Sequence, residues 1–124
     1  MMYKIIFTFF VALLFATVAA AQVKTITPAT AEKKVNKRNV VVLDVRTTQE
    51  FKDGHLPGAI HIDVLDSVAF VNSISKLNRN KKYLVYCKSG KRSTKASNIL
   101  YENRFKHIWN MEGGITAWKG KISQ

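Results

Sequence analysis

Val40-Val41-Val42-Leu43-Asp44-Val45 holds five apolar residues in six, four of them β-branched. A strand with one face in water alternates polar and apolar residues, and this run does not. It reads as a strand covered on both faces, which is the habit of a parallel sheet packed between helices. Lys82-Tyr83-Leu84-Val85-Tyr86 is a second run of the same kind. Parallel neighbours need a crossover, so the segments between such strands must supply helices. The fold class that follows is α/β, one domain with a central, mostly parallel sheet of about five strands and helices on both faces.

The intervening sequence fits that plan. Thr27-Pro28 is an N-cap followed by proline at the first helical position, and a short basic helix is expected from Ala29 to Lys37. Thr47-Thr48-Gln49-Glu50 is a capping box that opens a helix ending at Gly54. His55-Leu56-Pro57-Gly58 turns into a short strand, Ala59 to Ile62, and Asp66 caps a helix expected to bury Val68, Val71, Ile74 and Leu77. The pattern is helical again from about Ser89, with Ala96, Ile99, Leu100 and Phe105 on or near one face. A last strand, His107 to Asn110, precedes Gly113-Gly114 and a terminal turn carrying Ile115 and Trp118.

Residues 1–21 are of another kind. A tip with one cation, Lys4, leads into an apolar stretch from Ile5 to Ala16, then small residues ending in Ala19-Ala20-Ala21. This is the order of a secretory signal peptide cut before Gln22. Residues 22–124 would then form the mature domain, exported to the periplasm or secreted, without stable membrane association. An apolar stretch of this length is at the short limit of a retained anchor, the competing reading.

Of the 20 Lys and Arg only Lys4 precedes Gln22, and all 8 Asp and Glu follow it, so the remaining chain carries a net +11. The cations are spread along the sequence rather than gathered in a block, the usual mark of a solvated surface. Nucleic-acid binding is not expected, since a compact basic stripe interleaved with aromatics is absent from the sequence.

The single cysteine stands in Tyr86-Cys87-Lys88-Ser89-Gly90-Lys91-Arg92-Ser93-Thr94. Cys87 follows a buried strand and precedes a helix, where free amides and the helix dipole favour an anion. Lys88, Lys91 and Arg92, with hydroxyls from Ser89 and Ser93, should lower the thiol pKa further. Gly90 lets successive N–H groups point to one spot. The expectation is a partly exposed thiolate nucleophile in an anion-binding cradle. One cysteine allows neither an internal disulfide nor a C-x-x-C pair, and His55, His61 and His107 lie too far apart in sequence for a metal motif.

Val42 to Asp63, "VLDVRTTQEFKDGHLPGAIHID", resembles the first signature region of rhodanese-like domains. "YLVYCKSGKRS", Tyr83 to Ser93, is similar to their active-site loop, and "WNMEGGITAWKG", Trp109 to Gly120, to their closing segment. The resemblance spans about residues 24 to 121. It implies a cofactor-free thiosulfate sulfurtransferase: Cys87 takes the outer sulfur of a small anionic donor such as thiosulfate and passes it to a thiol or cyanide. Lys88, Ser89, Gly90, Lys91, Arg92 and Ser93 would bind the donor, and the domain would act as a monomer. A carrier or anion-binding module using the same loop is the alternative. Cysteine phosphatases use C-x5-R, and the C-x4-R spacing from Cys87 to Arg92 argues for a sulfur atom over a phosphoryl group or arsenate.

Asp44, Arg46 and Glu50 read as structural, with Arg46 and Glu50 expected to pair. His55 and His61 are expected to make packing hydrogen bonds, and Trp109 and Trp118 to pack at the core or its rim.

Overall fold

The computed structural model describes residues 22–124; the expected signal peptide lies outside them. Strands β1 (Gln22–Ile26), β2 (Val40–Asp44), β3 (Ile60–His61), β4 (Lys82–Tyr86) and β5 (His107–Met111) form one sheet in the order β1-β5-β4-β2-β3. Every pairing is parallel. The helices are α1 (Pro28–Glu32), α2 (Thr48–Asp53), α3 (Ser67–Ile74) and α4 (Lys91–Glu102), and a 3-10 turn, Ile115–Ala117, follows β5.

Alternation along each strand divides the core in two. Leu43, Val45, Tyr83 and Val85 point to one face and pack with Phe70 and Ile74 of α3 and Ala96 and Leu100 of α4. Val42, Leu84, Tyr86 and Met111 point to the other, against Ala31 of α1 and Leu56, with Ile115 and Trp118 at its edge. Both central strands are therefore apolar on both sides, as their composition required. At roughly 25 cal/mol per Å2 of apolar surface removed from water, these two layers hold the sheet.

β2 and β4 are neighbours, yet the chain leaves them toward opposite faces: α4 packs on the first core, while the Leu56 loop after α2 packs on the second. A crevice opens where such connections diverge, beyond the carboxyl ends of the strands. Cys87 lies at one lip and Arg46 to Glu50 at the other.

Several expectations are revised. β1 was not anticipated, because Lys24 and Thr25 are exposed and leave a short edge strand with little apolar signal. α1 ends at Glu32 and continues as turns, since Ala31 is its only buried residue. α3 buries Phe70 and Ile74, a four-residue step, while Val68 is 81% exposed and Val71 38%. The larger Phe70 side chain offers more area to bury and sets the rotation of the helix.

A further revision concerns charge. Gln22, His107, Lys82 and Val40 stand in one row across the sheet, so every connection that enters these strands arrives at the same end. Cations distant in sequence are thereby collected on one pole, opposite Cys87.

Candidate active site

Thr47 caps α2 by accepting the Glu50 N–H at 3.3 Å, and the Glu50 carboxylate accepts the Thr47 N–H at 3.4 Å, completing the expected box. This fixes Glu50 in the first turn, facing the Cys87 loop. Arg92, in the first turn of α4, donates to both Glu50 oxygens at 2.6 and 2.9 Å. That bidentate pair lowers the Glu50 pKa to about 2. Glu50 is thus the partner of Arg92 and not of Arg46.

Arg46 turns the other way. Its guanidinium donates to Asp44 Oδ2 at 2.7 Å and to the Gly54 carbonyl at 2.7 Å. Asp44 also accepts from the Tyr86 hydroxyl at 2.5 Å, and that hydroxyl in turn accepts the Leu56 N–H at 3.0 Å. Burial and then the Asp44 carboxylate push the Tyr86 pKa far up, so the phenol stays a donor. Asp44 and Tyr86 are fully buried, and the network ties β2, β4 and the Leu56 loop together directly beneath Cys87.

Cys87 is 1% exposed, so the thiol forms the floor of the cradle rather than a partly exposed group. Its Sγ accepts the Gly90 N–H at 3.1 Å and donates to Ser93 Oγ at 3.4 Å. The Ser93 hydroxyl donates to the Gly90 carbonyl at 3.1 Å; rotation about its C–O bond can turn that proton onto sulfur once the thiol ionises. Burial raises the Cys87 pKa, but the Ser93 hydroxyl and the amides of Ser93, Gly90 and Ser89 outweigh it and bring the thiol below its ordinary value. Gly90 has φ 109°, in the left-handed region, as the curled loop requires.

The loop residues differ in what they bring. Ser93 is buried and supplies both hydroxyl and amide; Ser89 is exposed and supplies its amide. Lys88 and Lys91 are exposed, and Arg92, held by Glu50, is still close enough to feel the charge on Cys87. Hydrogen bonds rather than lysine charges do most of the lowering. A cleft of about 390 Å3 opens beside the loop, with Arg46, Glu50, Lys88, Thr116 and Trp118 among its walls.

Sequence reasoning missed the brace behind the loop. Ile115 N–H donates to the Cys87 carbonyl at 2.9 Å; Thr116 donates its N–H at 3.1 Å and its hydroxyl at 2.8 Å to the Lys88 carbonyl. A Cβ on Gly114 would stand 2.4 Å from the Cys87 oxygen and 2.5 Å from the Lys88 oxygen. The paired glycines 113 and 114 were the only signal for it. The histidines behave as expected: His55 Nδ1 lies 2.8 Å from the Phe51 carbonyl and His61 Nε2 2.6 Å from the Arg46 carbonyl. Trp118 packs at the edge of the second core.

Residues 27–121 match the family described as Rhodanese-like domain. YtwF of Bacillus subtilis (strain 168), provisionally named a sulfurtransferase, is 33% identical over 101 residues, covering 81% of this chain and 94% of its own. Thiosulfate sulfurtransferase GlpE of Coxiella burnetii (strain RSA 331 / Henzerling II) is 33% identical over 97 residues, 77% of this chain and 87% of its own. The crystal structure of a rhodanese-like domain protein from Staphylococcus aureus superimposes with a TM-score of 0.69 at 30% identity, over 81% of this chain and 96% of that one. Fold, loop and sequence agree, and the chain belongs to the rhodanese-like domain family.

Proposed function

We propose that the domain is a thiosulfate sulfurtransferase in which Cys87 is the nucleophile. The observation that carries this is the set of polar groups gathered on one buried sulfur: the Gly90 N–H donates to it at 3.1 Å, the Ser93 hydroxyl oxygen accepts from it at 3.4 Å, and the amides of Ser89 and Ser93 lower its pKa.

The Cys87 thiolate attacks the outer sulfur of thiosulfate. The S–S bond of the donor breaks, sulfite leaves with its electron pair, and a Cys87 persulfide anion remains. The amides that held the thiolate are placed to hold the terminal sulfur, which carries the charge after transfer. Lys88 and Lys91, free in solvent at the rim, attract the dianionic donor, and Arg92, already shared with Glu50, contributes less than a free guanidinium would. An acceptor thiolate or cyanide then attacks the terminal sulfur and Cys87 departs as thiolate, so the cycle needs no cofactor. The apolar run from Ile5 and Ala19-Ala20-Ala21 support export of the domain.

Intact-mass spectrometry tests the scheme. Thiosulfate should add one sulfur, about 32 Da, which glutathione removes. Cys87→Ser should show no added mass and lose thiocyanate formation from thiosulfate and cyanide by on the order of a thousandfold or more. Undiminished turnover in that variant would remove Cys87 from the mechanism. The same spectrum reads the N-terminal residue.

A further inference from the structure

The three connections that enter β2, β4 and β5, residues 33–39, 75–81 and 103–106, contain six lysines, three arginines and no Asp or Glu. The parallel order places all three at the end of the sheet opposite Cys87. Among the described residues both salt bridges, Arg46 with Asp44 and Arg92 with Glu50, lie at the other end. None of the cations at this pole therefore has a carboxylate within salt-bridge reach. So many like charges without partners repel one another and weaken the isolated fold, which makes the pole a surface built for a polyanion.

Details of the pole narrow the partner. Lys34 and Lys82 lie over the Trp109 ring at 4.5 and 5.9 Å from its centroid, so that ring is roofed by cations and offers no face to a base. Among the described residues this end is formed by three short connections, and no helix starts there to enter a groove. Tyr101, 45% exposed in the last turn of α4, is a residue type suited to a membrane–water interface. Beside it a recess of about 450 Å3 is lined by Arg79, Glu102, Asn103 and Arg104, with Arg79 Nε donating to the Asn103 carbonyl at 2.8 Å.

The path of the chain decides between polyanions. Gln22, the first residue of β1, stands in the same row as Lys82 and His107. The apolar run from Ile5 to Ala21 therefore joins the domain at the basic pole. A bilayer that receives this run meets the lysines first, and the Cys87 loop faces away from it. No described helix is long and apolar enough to cross a membrane.

We infer that the basic pole is a docking surface for anionic phospholipid headgroups, holding the domain with its Cys87 loop turned to the aqueous side. The expectation of no stable membrane association after signal cleavage was made without a compact basic surface in view, and the fold gathers the cations into one. The inference stands independently of the sulfur chemistry.

The test is flotation of the full chain with vesicles of phosphatidylcholine, with and without about one-third phosphatidylglycerol. The anionic lipid should strengthen binding by at least about tenfold, and about 0.5 M salt should abolish that increment. The triple variant Lys37→Glu, Lys81→Glu, Lys106→Glu should abolish the increment. A control triple with the same net charge, Lys52→Glu, Lys119→Glu, Lys121→Glu, should leave it within about twofold. Thermal melts show whether both triples fold, and a Lys→Gln set at the pole replaces the first if it does not. Equal losses in both triples, no dependence on the anionic lipid, or tighter binding to a single-stranded oligonucleotide at the same salt would each overturn the inference.

Discussion

The two ends of the sheet are built on opposite plans. At the carboxyl end, Asp44, Arg46, Glu50 and Arg92 are paired, and the backbone is held in shapes that only glycine adopts easily, at Gly90, Gly113 and Gly114. At the amino end, three connections carry unpaired cations, and the exposed carboxylates that adjoin them in sequence, Glu32 and Glu102, form no salt bridge. The first end achieves position: the sulfur atom lies 3.1 Å from the Gly90 N–H and 3.4 Å from the Ser93 hydroxyl oxygen, and such bonds weaken steeply with small displacements. The second achieves field, which depends on how many charges are present and hardly on where each one lies. A tightly hydrogen-bonded thiol and a basic surface can share a small domain because a parallel sheet keeps them at opposite ends.

The comparison breaks most severely at Asp44. Asp44→Ala leaves Arg46, 5% exposed, without its carboxylate and the Tyr86 hydroxyl without its acceptor. A loss of about 3–5 kcal/mol is expected, read as a fall of more than about 15 °C in melting temperature. A change of only a few degrees would mean that the network is not a keystone of the carboxyl end.

Gly114→Ala comes next. The added methyl would lie within 2.4 Å of the Cys87 carbonyl, at a residue with φ 58° and ψ −158°. About 2–4 kcal/mol should be lost, and alkylation of Cys87 by iodoacetamide should slow at neutral pH as the loop amides move off the sulfur. Normal alkylation in a destabilised variant would separate the brace from the thiol chemistry.

Glu50→Gln has the smallest effect and the clearest sign. The folded pKa of Glu50, about 2, is below its ordinary 4.5, so its contribution is complete above pH 4.5 and is lost as pH falls toward 2. The pair is 26% and 29% exposed, so solvent screens it and about 1 kcal/mol or less is at stake at neutral pH. The variant should melt slightly lower at pH 7 and differ less and less from wild type as pH drops from 4.5 to 2. A difference that grows on acidification would reverse the assignment of Arg92 as the partner of Glu50.

What could be read from sequence was local. The runs at Val40 and Lys82, the caps at Thr27, Thr47 and Asp66, and the strand-to-helix placement of Cys87 depend on near neighbours, and the structure has them all. What could not be read depends on residues far apart in the chain. Arg92 and Glu50 are 42 residues apart, and their pairing overrode the nearer choice of Arg46. Arg46 precedes the cap Thr47 and so is not helically spaced from Glu50. Two residues after Asp44 at the end of a strand, it lies on the same side as that carboxylate. The collection of cations at one pole likewise follows from strand order, which no single segment encodes.

The bonds from Ile115 and Thr116 reach further than their number suggests. A trans peptide is a rigid plane with its C=O and N–H pointing in opposite directions, and no cis bond is present among the described residues. Pulling the Lys88 oxygen outward with two bonds from Thr116 turns the Ser89 N–H inward, toward the sulfur. The closing segment thus acts on Cys87 as a hand on the far side of a lever: it sets the aim of the dipoles that lower the thiol pKa.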